Sequence, residues 1–318
     1  MNSKQLMYIL KRILYAVITV WALITVTFFL MRLLPGDPFT GGKAIPEEAK
    51  AALFEKYGLN KPLWEQYIIY FARIFQGDLG SSLRTGRAMT DIIAQSFPVS
   101  LDLGLRALIF AFIIGVLLGI IAAVKRGTAW DTLTMFIALV GVSVPSFVIG
   151  SLLQYFLGLK LYQATGVQLF AVMGWADLNS KLLPPFALAF GSMATISRLM
   201  RTSMLDVLGQ DYIMTAKAKG LSQKAIIWKH AVRNALMPVI TVMGPLVAAL
   251  LTGTFVVENI FTIPGMGKYF VQCVQQNDYP MIAGTTMFYG AFLVLANLVV
   301  DILYGLIDPR VKLTGGKE

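Results

Sequence analysis

A chain of 318 residues that is 57% hydrophobic and only 14% charged, with a mean hydropathy of +0.69, is too apolar for an ordinary soluble domain and belongs in a bilayer. Its net charge of +10 could suggest nucleic acid, but the basic residues fall in alternate loops, which is the bias of cytoplasmic loops toward Lys and Arg, so no nucleic-acid partner is expected. One cysteine, Cys273, and one histidine, His230, give neither an intramolecular disulfide framework nor a cysteine or histidine metal site.

A spanning helix takes about 20 mostly apolar residues. Six stretches qualify: 9–34, 101–124, 132–157, 182–200, 236–257 and 282–307. An even number puts both termini on one side. The first stretch follows Lys4, Lys11 and Arg12, as a signal peptide would, but its apolar run is too long and no small-x-small cleavage site follows, so 1–34 reads as a retained helix. The next segment, 35–95, is mixed in charge and too long for a bare linker. In it, Pro46-Glu47-Glu48 reads as a helix start, and Leu63, Tyr67, Tyr70, Phe71 and Ile74 recur near helical spacing. A small outer subdomain of short helices is expected there, covering the pore entrance or meeting a delivery protein.

Further along, Asp102, Arg106 and Asp131 fall near predicted helix ends, where snorkelling to the interface is the cheaper arrangement. Val144-Pro145, Pro184-Pro185, Pro238 and Gly244-Pro245 break or start helices, which neighbouring helices must tolerate by satisfying the freed carbonyls. Small and hydroxylated residues gather on the same segments: Gly141, Ser143 and Ser146; Ser192 and Thr195; Thr241, Gly244, Thr252, Gly253 and Thr254. They fit close helix packing first, with the lining of a polar pathway as the alternative. Asp301 lies deeper in the last span and is read as pairing with a basic group of another helix, because no second deep acid joins it for proton coupling.

Positive charge orients the whole. The N-terminus, Lys125-Arg126, the loop from Arg198 to Arg233, and Arg310 with Lys312 share one side, while the short opposite loops hold only Lys160, Lys181 and Lys268. Both termini are therefore expected in the cytoplasm.

On that side the stretch 206–238 carries the densest basic cluster, Lys217, Lys219, Lys224, Lys229 and Arg233 with His230. Its local grammar is helix, break, shorter helix. Gly220 stands where a left-handed cap is wanted. Ser222 can cap a short helix over about 223–229, with Leu221 and Ile226 as a hydrophobic staple. That helix would point Ile226, Ile227 and Trp228 at a partner or lay them on lipid headgroups. No GxxxxGK[ST] phosphate loop occurs, and Gly265-Met266-Gly267-Lys268-Tyr269 is a superficial echo of one without the magnesium-binding hydroxyl. The chain should not hydrolyse ATP itself. HExxH and GxSxG are also missing, so an intramembrane hydrolase lacks its parts.

Residues 212–222, Tyr-Ile-Met-Thr-Ala-Lys-Ala-Lys-Gly-Leu-Ser, followed by His230-Ala231-Val232-Arg233-Asn234-Ala235-Leu236-Met237-Pro238, resemble the EAA loop of ABC-importer permeases in its peptide-transporter form. Met214 stands where the wider family has the Glu of Glu-Ala-Ala, and His230, Val232 and Arg233 replace its usual Ile, Leu and Pro. Other stretches resemble the B-type permease of oligopeptide and dipeptide importers: Met31 to Thr40, with Pro35-Gly36-Asp37-Pro38; Gly77-Asp78-Leu79-Gly80-Ser81-Ser82; Ser96-Phe97-Pro98-Val99-Ser100; Glu258 to Gly267; Asn277-Asp278-Tyr279-Pro280; and Asn297 to Arg310.

The resemblance implies an all-α membrane protein of six transmembrane helices in the type I ABC importer permease fold. It also implies a small extracytoplasmic helical insertion (35–95), a common core at 96–308, a coupling loop at about 206–235 and a cytoplasmic tail at 309–318. It implies a C-type permease partner, two cytoplasmic ATPase subunits that use ATP and magnesium, and an extracytoplasmic peptide-binding protein. No cofactor would be bound by this chain. Thr215, Ala216, Gly220, Leu221, Ser222, Ile226, Ile227 and Trp228 would carry the coupling, while Ser143, Ser146, Ser192, Thr195, Thr241, Thr252 and Thr254 are the candidate lining. Phe39-Thr40-Gly41 leans toward oligopeptide cargo over dipeptide or nickel. A stand-alone ion-coupled transporter would need a midplane ion site and usually internal repeats, neither of which is visible.

Overall fold

A computed structural model describes residues 3–33, 55, 60–82, 84–276 and 278–307. The Pro46 helix start, the Pro35-Gly36-Asp37-Pro38 motif, Asn277, Asp308-Pro309-Arg310 and the tail lie outside the described residues. Every named element is helical, and the chain divides into two compact units, Met1–Val99 with Gly265–Glu318, and Ser100–Pro264. Among the described residues, five helices are long and apolar enough to cross a membrane, or six if one bent pair forms a single span.

In the first unit, α1 (Ser3–Leu33) is apolar over most of its length, as a helix that can cross a membrane must be. It packs along the last helix, whose Gly290 leaves room for Leu23; a Cβ there would run into that side chain. Asp301 meets Arg12 of α1 at 2.8 Å, the structural pairing expected for it. α2 (Leu63–Phe75) lies against the end of α1, where Phe28, Tyr67 and Tyr70 form an aromatic cluster. There the Arg32 guanidinium sits 3.6 Å from the Phe28 ring centroid and donates from Nε to Gln66 Oε1. The tight turn after α2 is stapled by Ser82, whose hydroxyl donates to Asp278 at 2.6 Å and accepts from the backbone N–H of Thr85. Against the last helix, the helix Met266–Gln275 carries Cys273, whose buried thiol is pushed above its ordinary pKa by desolvation and is correspondingly unreactive.

α3 (Met89–Val124) begins twelve residues before the span predicted at 101, so Pro98 lies inside it. Consequently Asp102 and Arg106 are not at a helix end; they pair with each other one turn apart at 2.8 Å. The predicted span 132–157 is likewise corrected: α4 (Ala129–Ser143) and α5 (Ser146–Leu153) meet at 114° across Val144-Pro145. Proline removes a donor and disfavours helical backbone in the residue before it, and Val144 is accordingly extended. After a π-helical stretch, Gln154–Lys160, the chain turns through α6 (Leu161–Thr165). α7 (Leu183–Leu208) starts at Pro184-Pro185, where missing N–H groups cost nothing. Pro238 and Pro245, by contrast, lie inside a later helix.

Glycines set how closely the second unit packs. A Cβ on Gly115 would lie 2.9 Å from Ile196, one on Gly119 2.6 Å from Met200 and one on Gly141 2.7 Å from Ala194. α3 and α4 therefore approach α7 more closely than any side chain would permit. For Gly141 this is the close-packing reading of the small-residue stripe.

Candidate functional site

The basic loop is built at the end of α7. Gly209 closes that helix, and α8 (Asp211–Ala218) follows it. α8 ends in a Schellman motif, with Leu221 N–H donating to Ala216 C=O and Gly220 N–H to Lys217 C=O. Gly220 holds φ +76°, the left-handed region that the reversal demands. Nothing lies within 4 Å of where its Cβ would be, so only the backbone conformation selects glycine there. Ser222 then caps α9 (Gln223–Ala225), its hydroxyl accepting from Ala225 N–H at 3.3 Å. Glycine cap and serine cap are both as the sequence predicts.

The second half differs from its expectation. Rather than a separate short helix over 223–229, the chain runs from α9 through π-helical Ile226–Ala231 straight into α10 (Val232–Thr252). One extra residue per turn in that stretch rotates the side chains after it, a local distortion that often accompanies functional sites. Leu221 also stays exposed while Ile226 is buried, and Ile226 packs with Ile213 and Ala216, beside Val207. The predicted Leu221 staple is therefore replaced by Ile213, which helical spacing brings to the inner face. Full burial of two isoleucines contributes about 1.5–3 kcal/mol each, enough to hold α8 against the π-helical stretch.

The remaining apolar residues face outward. Trp228 is 56% exposed, Met214 57% and Tyr212 43%, and Ile227 is half-buried. Around them Lys217, Lys219, Lys224, Lys229 and Arg233 are all exposed. Thr215 is exposed as well, its hydroxyl bonded back to Asp211 C=O. The loop thus presents an aromatic and apolar edge rimmed by cations, fixed from below by three buried side chains.

One strong contact just before this loop was not foreseen. Arg201 of α7 grips Asp131 of α4 through two hydrogen bonds, Nε to Oδ1 at 2.7 Å and Nη2 to Oδ2 at 2.8 Å. Asp131 also accepts from Gly127 N–H and is 6% exposed; it lies in the first turn of α4, the helix end expected for it, but is buried against Arg201 and does not snorkel. The available signal was a basic and an acidic residue near helix ends on the same predicted side.

The candidate lining residues are dispersed. Ser143, Thr195 and Thr241 are exposed, Ser146, Ser192 and Thr252 half-buried, and Thr254 fully buried. The hydroxyls of Thr195, Thr241 and Thr252 donate to carbonyls one turn back. Beyond them, Gln154 Nε2 donates to Val172 C=O and Ile260 C=O, tying the loop after α6 to the helix Phe255–Ile260 (α11). Among the described residues no three His, Cys, Asp or Glu side chains converge as metal ligands would.

Comparison with known proteins bears directly on this arrangement. Residues 115–313 match the family described as "Binding-protein-dependent transport system inner membrane component", and residues 5–104 match its N-terminal companion. The dipeptide transport system permease protein DppB of Bacillus subtilis is 47% identical over 309 residues, covering 96% of this chain and 98% of that protein. The oligopeptide transport system permease protein OppB of Salmonella typhimurium is 42% identical over 310 residues, covering 96% and 99%. Among solved structures, a chain from inward-facing conformations of the MetNI methionine ABC transporter superposes with a TM-score of 0.50 at 16% identity. That match covers 69% of this chain and 95% of the other, and it speaks to the fold alone.

Proposed function

The chain belongs to the binding-protein-dependent transport system inner membrane component family, and from that premise we propose how it works within its assembly. It is the multi-pass permease subunit of an oligopeptide or dipeptide ABC importer in the inner membrane, and it is not itself an ATPase. It contributes six spans, the bent α4–α5 pair counting as one, in a type I importer permease fold with a small outer insertion before α3. Both termini and the 206–235 loop face the cytoplasm. A C-type permease completes the pathway, two cytoplasmic ATPases consume the ATP and magnesium, and an extracytoplasmic binding protein delivers the peptide. Oligopeptides are the proposed cargo.

The observation that carries the proposal is the outward edge of the loop. Trp228 and Met214 stand exposed while Ile213, Ala216 and Ile226 anchor the same two helices from beneath. An exposed aromatic on a rigid, capped support is a lever that a groove on a neighbouring subunit can hold and move. Thr215, Gly220, Leu221, Ser222 and Ile227 shape that lever, and Ser143, Ser146, Ser192, Thr195, Thr241, Thr252 and Thr254 are proposed to face the substrate path during transport.

Gly220→Val tests the lever. A β-branched residue at φ +76° costs about 1–2 kcal/mol locally, with open space around it, so insertion and assembly should survive. ATP hydrolysis by the assembled complex should persist while peptide uptake falls about tenfold. Normal uptake by a stably assembled Gly220→Val complex would contradict the proposed coupling.

A further inference from the structure

We propose that Asp131 and Arg201 are positioning residues of the transport cycle: their ion pair ties the turn between α3 and α4 to α7, so that a displacement of the 206–235 loop moves three helices together. The inference rests on the coupling proposed for that loop and adds the connection by which its motion reaches the helices.

Four observations converge on it. Arg201 lies seven residues before the end of α7, and α7 leads through Gly209 and Gln210 directly into α8. On the other side, Asp131 sits in the first turn of α4 and also accepts from Gly127 N–H, so a single carboxylate holds both the turn and the helix. The grip is two-pronged, which fixes orientation as well as distance, as a single ammonium contact would not. Finally, the same helices are already in contact further along, at Gly141 against Ala194 and at Gly115 and Gly119 against Ile196 and Met200. The small-residue contacts alone would let helices slide past one another, since they are apolar and shallow. A bidentate pair at one end removes that freedom.

The pair's two hydrogen bonds also help hold the fold, and the two roles are separable: a pair that only stabilised would alter assembly of the complex and leave its coupling ratio unchanged. With the pair broken, the loop would still move with α7, but α3 and α4 would follow only loosely.

The test uses the complete importer in proteoliposomes and reads peptide imported per ATP hydrolysed. Asp131→Asn keeps the volume and removes the charge; a double variant, Asp131→Cys with Arg201→Cys, is measured before and after bridging with a short, reducible bis-methanethiosulfonate linker. Cys273 is buried and stays in place. Complex assembly is checked first by co-purification of all subunits. The expected result is a fall of about fivefold or more in the coupling ratio for Asp131→Asn and for the unbridged pair, with the ratio restored by the linker and lost again on reduction. A coupling ratio equal to the parent in both variants overturns the proposal, as does a reduced ratio that bridging leaves unchanged. Gly220→Val in the same assay separates this from the underlying reading. If Gly220→Val uncouples and Asp131→Asn does not, only the ion-pair proposal fails; if Gly220→Val couples normally, the loop reading fails with it.

Discussion

Gly220 and Thr262 occupy the same position in the same motif. Each stands just past a helix end with its N–H donating to the carbonyl three residues back, and in each case the next residue, Leu221 or Ile263, reaches a carbonyl five back. Gly220 has φ +76°, and Thr262 has φ +53° as the one non-glycine residue with positive φ among the described residues. For a β-branched residue that backbone is a genuine outlier, costing roughly 1–2 kcal/mol. Gly220 was legible in the sequence because glycine after a helical run is itself the signal. Thr262 was not, because threonine carries no such signal and tertiary contacts hold it, among them Gly174 N–H donating to Phe261 C=O at 2.8 Å. Thr262→Gly should raise the thermal midpoint of the purified complex, corresponding to about 1 kcal/mol. A fall in the midpoint would mean that the threonine side chain contributes more than its backbone strain costs.

At the scale of elements, helix identity was readable and helix ends were not. Among the described residues, hydrophobic runs located five helices long enough to cross a membrane and the bent α4–α5 pair, yet α3 begins at Met89 and α7 continues to Leu208, beyond the apolar stretches that marked them. Apolar length reports what lipid and neighbours cover; a helix extends past that wherever its own backbone bonds continue. The same limit explains Asp102, which looked terminal only because the apolar run started beside it. The 114° bend at Val144-Pro145 was visible as a proline and not as an angle, since composition does not say which way a broken helix turns. Asp301 shows what sequence could decide. A lone deep acid needs a cation, and Arg12 supplies it at 2.8 Å between α1 and the last helix. Both residues lie in helices long and apolar enough to cross a membrane, so the pair neutralises a charge there and joins two helices. If that role is structural only, Asp301→Asn should leave ATP-driven uptake within about twofold of the parent, measured in the assembled complex with and without a proton gradient. Uptake that depends on the gradient and vanishes in Asp301→Asn would make this residue a proton site and not a structural partner.

For the whole molecule, the informative feature is what the chain keeps exposed. It carries long apolar helices, yet it also builds a capped, lysine-rimmed loop in which Ile213, Ala216 and Ile226 are buried while Trp228, Met214 and Tyr212 stay exposed. Most of that loop could be read from glycine and serine at cap positions. Its π-helical continuation into α10 could not, because the extra residue in the turn leaves no mark in hydrophobic spacing. A subunit shaped this way should be inert alone and active in company. The direct test is ATP-dependent peptide uptake into proteoliposomes containing this chain, with and without its C-type permease, ATPases and binding protein. Uptake that requires the full set and ATP is the predicted result; peptide uptake by this chain alone, driven by a proton gradient, would contradict it.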